Sequence, residues 1–176
     1  MVVSFLVIAM FVVTSALWFA GQIGDEAPEG SKWYIVAALC GLPFALWIQL
    51  TCRLVPKDQA KPGWEFVSTI ATIVVVIVMV DQLQNGLSEA LSQQNIIIGF
   101  WLIGLTVNFR PLVPIWASPV TLVWAVLTLV DGFLHALAAK DVWHWYDQTL
   151  FPISFLAALI SIVAIGLAFR KAAAQE

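Results

Sequence analysis

The chain has 176 residues, 61% of them hydrophobic and 11% charged, with a net charge of −3 and a mean hydropathy of +0.94. Soluble domains carry about a quarter charged residues, so this composition leaves too little polar surface to face water on every side. The small negative charge, spread over short connections, argues against nucleic acid as a partner, and the ten-residue alternating segments of a transmembrane barrel are missing.

Successive apolar runs of about twenty residues point to an all-α integral membrane protein. We read one polytopic domain over residues 1–176, a compact bundle of six transmembrane helices with N- and C-termini cytoplasmic. The first span covers residues 2–20. Its start lacks a basic region and a small-x-small cleavage site, so it reads as a retained span rather than a signal peptide. An acidic, turn-rich connection follows, from Asp25 to Lys32. The second span, residues 33–54, contains Pro43, which predicts a kink. Cys40 and Cys52 both fall in this span. Twelve positions apart on one straight helix they are too distant for a disulfide and read as small packing residues.

The connection Val55–Gly63 is basic and rich in helix breakers. The third span, residues 64–83, is rich in valine and isoleucine and ends in Asp81-Gln82-Leu83-Gln84-Asn85. The polar stretch 87–94 reads as an interfacial helix capping that span, although its amides would equally suit the mouth of a pore. A short fourth span, 95–109, is followed by Arg110 on a proline-rich connection. The fifth span covers 115–138 and the sixth 150–169.

The fourth span is short enough to be re-entrant instead, and the basic residues arbitrate. With six spans, Arg53, Lys57, Lys61, Arg110, Arg170 and Lys171 lie inside and only Lys32 and Lys140 outside, six of eight. With the fourth span re-entrant, four of eight lie inside. The six-span reading wins. It puts Trp33, Trp64, Trp116, Trp143 and Trp145 at span ends, where aromatic belts form. Trp18, Trp47, Trp101 and Trp124 fall within spans, where packing is the favoured role.

Three constellations could carry chemistry. Asp131 and His135, four apart on the fifth span, share a helix face, and ionisable groups within a span are costly enough to be functional candidates. In the six-span topology they sit in the outer third, with Asp81 at the same level and His144 and Asp147 just beyond. Asp131, His135 and Asp81 would suit an outward-facing polar vestibule or proton relay. Asp131, His135 and His144 would suit a divalent or copper ion, with imidazole and carboxylate as ligands. The competing reading is structural, with Asp131 pairing to His135 or to a neighbouring helix. Arg110 could bind an anion or a lipid headgroup, or act only as a topology determinant.

Asp131-Gly-Phe-Leu-His135 followed by His144 resembles the Asp-x-x-x-His…His copper-site pattern in the third subunit of copper membrane monooxygenases. The likeness covers a handful of residues, and the step from His135 to His144 is shorter than in that family. It implies a copper site on those three residues in a subunit of a membrane enzyme.

Three functional classes follow. The first is a small channel or transporter with an outward-facing Asp/His cluster. The second is a non-catalytic accessory subunit of a larger membrane complex, and the third a copper-type metalloenzyme subunit. No phosphate-binding loop, nucleophile-elbow serine or zinc-protease helix is present, so a non-enzymatic role is the favoured expectation. The expected setting is a bacterial-type inner membrane. Small-residue surfaces at Ala37, Ala38 and Gly41, and at Ala157, Ala158 and Ser161, are expected to contact neighbouring copies or partner subunits.

Overall fold

The computed structural model describes residues 2–20, 32–85, 90–137, 145, 146 and 148–173. Among these residues the fold is entirely helical. The helices are α1 (Val2–Phe19), α2 (Trp33–Leu39), α3 (Gly41–Leu54), α4 (Trp64–Asn85), α5 (Ala90–Phe109), α6 (Ala117–Ala136) and α7 (Phe151–Ala173). Four apolar segments are long enough to cross a membrane: the α2–α3 unit (Trp33–Leu54), α4, α6 and α7. Two shorter apolar stretches, Val2–Leu17 in α1 and Gln94–Phe109 in α5, complete the set.

The break between α2 and α3 falls at Cys40, three residues before Pro43. Pro43 has no N–H to give to the carbonyl of Leu39, and its ring crowds that carbonyl, so the helix divides there. The kink expected from the sequence is therefore present. Both cysteines are free thiols. Of the interfacial helix expected over 87–94, residues 87–89 lie outside the described residues, and residues 90–94 belong to α5 rather than to a separate helix. No glycine or proline separates Ala90 from Asn95, so nothing stops the helix between them.

The helices close into a ring. Each packs on the next in the chain, with α2 and α3 acting as one unit, and α7 returns against α1. Every neighbouring pair is antiparallel. Ser4 meets Trp47 while Thr14 meets Cys40, Gln49 meets Thr72, and the backbone of Lys61 meets Asn108. Asn95 meets Asp131, Thr121 meets Ser161, and Gly166 lies against Ser4. An even number of antiparallel members is what allows such a ring to close without one parallel contact.

One end of the ring, the basic end, therefore collects the start of α1, the connections 55–63 and 110–116, and the end of α7. Gly63 turns the first of these connections with a φ of 81°, in the left-handed region that favours glycine. The opposite end, the far end, holds the last turns of α4 and α6 and the start of α5.

The interior draws on every member of the ring. Val7, Trp47, Ile48, Ala71, Val75, Trp101, Leu102, Leu105, Trp124, Ala158, Ile162 and Ile165 form one buried cluster. Trp47 and Trp101 are 0% exposed and cross edge to face at 5.7 Å, while Trp64 stacks on Trp101 at 6.3 Å and 15°. Aromatic pairs in these geometries add about 0.5–1.5 kcal/mol beyond burial. Two of the indole N–H groups find hydroxyls on adjacent helices. Trp47 Nε1 donates to Ser4 Oγ at 3.2 Å and Trp101 Nε1 to Ser68 Oγ at 3.3 Å.

This interior corrects two expectations. Trp64 begins its span but is not a belt residue; it is buried against Trp101 and Gly104. Trp33, Trp116 and Trp145 are exposed, as a belt requires. The small-residue surface of α7 likewise faces inward, with Ala158 and Ser161 fully buried, and Ala38 is buried on α2. Small residues there bring helices of one chain together rather than presenting a face to another.

Candidate functional site

The most intimate contact in the ring is between α5 and α6. Glycine makes it possible. A Cβ on Gly132 would stand 2.7 Å from the backbone nitrogen of Ile96, and one on Gly99 would run into the Leu129 side chain. No other residue type lets two helix backbones come this close.

The candidate polar cluster sits on this seam at the far end. Asn95, in the second turn of α5, donates from Nδ2 to Asp131 Oδ2 at 2.5 Å. His135, one turn beyond Asp131 on α6, places Nδ1 2.9 Å from the Asp131 carbonyl oxygen and 3.3 Å from Asp131 Oδ1. A carbonyl oxygen only accepts, so the contact to the Asp131 carbonyl is a hydrogen bond in the tautomer that carries its proton on Nδ1. The side chains are half-withdrawn, 15% exposed for Asp131 and 23% for His135. The Asp131 side chain thus accepts an amide N–H from the facing helix and has the imidazole of its own helix beside its other oxygen. His135 also stands in the last turn of α6.

The structure brings Asp131 and His135 together as their spacing predicts. Asp81 stands at the same end but on α4, and α5 lies between α4 and α6 in the ring. Arg110 lies at the opposite end and is exposed. His144 and Asp147 lie outside the described residues. Among the described residues, no group of three or more His, Cys, Asp or Glu side chains is arranged to hold a metal ion. Asp131 and His135 alone supply two donors, fewer than the three protein ligands that open zinc and similar metal sites use. One carboxylate oxygen is already taken by the Asn95 amide. Of the expected metal set the described residues supply only Asp131 and His135, because His144 lies outside them.

Asn95 was missed as a site residue in the sequence, although a signal exists. The α5–α6 connection is centred on residue 113, and Asn95 and Asp131 are each eighteen positions from it. In an antiparallel helical hairpin with a short turn, equidistant residues face one another. A polar residue at that mirror position marks the partner of an intramembrane carboxylate.

The chain is thus an all-helical bundle with four segments long and apolar enough to cross a membrane, and with an Asn–Asp–His clip on its tightest seam. Compared with protein-family profiles, curated proteins and solved structures, it matches none.

Proposed function

We propose that the protein is a six-span subunit of a bacterial-type inner membrane, with both termini cytoplasmic, acting as a non-catalytic partner in a larger membrane assembly. The observation that carries this reading is the filled interior. Trp47, Trp101, Leu102, Leu105 and Ile162 are each 0% exposed and occupy the space that a conduit through the ring would need. A channel or transporter lines its path with polar groups or hydrophobic gates around open space; here aromatic rings interlock across it. The titratable pair supports the same reading. Asp131 accepts from Asn95 across the seam, which joins α5 to α6, and stands beside His135 on its own helix.

Arg53, Lys57, Lys61, Arg110, Arg170 and Lys171 all belong to the basic end, which supports the orientation, since the positive-inside rule assigns such an end to the cytoplasm.

Flux through the purified protein is the test. Reconstituted alone in liposomes, wild type and Asp131→Asn are expected to pass protons, alkali cations and small neutral solutes no faster than empty liposomes. Flux above that background in wild type, lost in Asp131→Asn without loss of folding, would replace this reading with the relay.

A further inference from the structure

The packing of the bundle leaves the basic end with charges it does not use. Arg53, Lys57, Lys61, Arg110, Arg170 and Lys171 are all exposed, and among the described residues none of these side chains is in an ion pair. Asp58 and Glu65 are the described carboxylates at this end, both exposed, so among the described residues six cations stand against two carboxylates. The whole chain carries −3, so the acidic excess lies outside this group of residues. The cations come from the end of α3, from both connections and from the end of α7, which distributes them around the rim.

The same end carries large exposed apolar side chains. Val2 is 73% exposed, Phe5 71%, Phe66 68%, Ile115 83% and Trp116 50%. An acidic soluble partner would call for the charge alone. A cationic rim set directly above a collar of aliphatic and aromatic side chains matches a lipid leaflet, hydrocarbon below and phosphate at the level of the arginines and lysines.

We propose that this rim docks anionic phospholipid headgroups, with the phosphate diester held by the arginine and lysine side chains. Guanidinium forks pair with two phosphate oxygens at once and ammonium groups act as point charges, so the set tolerates lipids of differing headgroup provided the net charge is negative. The inference rests on the membrane-spanning part of the proposed function. It does not depend on a partner subunit or on which side of the membrane the rim faces.

The test uses the full chain purified in a neutral detergent, titrated with phosphatidylglycerol or phosphatidylcholine, with bound lipid counted by native mass spectrometry. Phosphatidylglycerol is expected to bind the more tightly. The pairs Lys57→Gln with Lys61→Gln, and Arg170→Gln with Lys171→Gln, are each expected to weaken it about fivefold per charge removed. Lys32→Gln, on the connection at the far end, is expected to leave it unchanged. All substituted positions are exposed, and two separate pairs guard against one variant failing to fold. Equal binding of the two lipids, or equal loss in Lys32→Gln, would overturn the proposal. So would displacement of the lipid by millimolar inorganic phosphate, which would identify a soluble-anion site, or by an acidic peptide. Such a failure leaves the proposed assembly role standing, because that role is read from flux and from subunit composition.

Discussion

Trp101→Ala is expected to lower the unfolding free energy by about 3–5 kcal/mol, the range for deleting a fully buried large aromatic side chain. Trp101 is the hub of the interior. It stacks on Trp64, meets Trp47 and Phe44 edge to face at 5.7 and 6.2 Å, and satisfies its N–H on Ser68. Removing it takes contacts from α3, α4 and α5 at once and leaves a cavity that three other aromatic rings border. In a bilayer the lipid tails are as apolar as the side chains, so association depends on close packing rather than on escape from water. A lost ring is therefore not recovered by solvation. Denaturant unfolding in detergent, followed by tryptophan fluorescence and circular dichroism, reads the change. Trp116→Ala, at a half-exposed position of the basic end, is the control and should fall within about 0.5 kcal/mol of wild type. Similar stabilities for the two variants would contradict the account of the core.

Gly132→Ala should destabilise by about 1–3 kcal/mol, the cost of overpacking a tight contact. The obstruction is backbone: the nitrogen of Ile96 at 2.7 Å and the carbonyl carbon of Asn95 at 3.1 Å. A side chain could swing aside, but here α5 itself has to move, and Asn95, which clips Asp131, moves with it. The better helix propensity of alanine, about 1 kcal/mol, offsets part of this and does not reverse it. Gly41→Ala is the comparison. Its nearest neighbours are side-chain atoms, Met79 Cβ at 3.3 Å and Met79 Cγ and Val75 Cγ1 at 3.5 Å, so a shift of a few tenths of an ångström suffices and alanine there should cost less than at Gly132. Gly132→Ala matching Gly41→Ala would mean that the α5–α6 seam is looser than the structure has it.

Both predictions turn on residues whose roles were only partly legible in the sequence. Hydropathy located the helices, and Pro43 marked the break in the second of them, because apolar run length and a missing N–H are local properties. Which face of each helix points inward is not local. In a soluble protein the polar face marks the outside, but a helix in lipid is apolar on both faces, so periodicity along α4 and α5 carries little information. For that reason Trp64, at the start of its helix, reads as a belt residue although it lies beneath Trp101. For the same reason Ala158 and Ser161 read as an outward contact face. The Asp131–His135 pairing was legible because both residues share one helix face. Its connection to Asn95 was recoverable only through the register of the hairpin. The positions of His144 and Asp147 lie outside the described residues, and among the described residues no third donor joins Asp131 and His135.

The charge pattern is where sequence and structure agree most usefully. Six basic residues assigned to one side by counting spans are found at one end of a ring whose antiparallel packing was established from side-chain contacts. Those contacts owe nothing to the charge count.

The central claim, that this bundle is a partner rather than a conduit, is tested most directly by its composition on leaving the native membrane. Membranes solubilised in mild detergent and the intact assembly weighed by native mass spectrometry give that answer. The account predicts a species in which this chain and at least one other polypeptide recur in a fixed ratio across independent preparations. A defined mass made only of whole-number copies of this chain would contradict it.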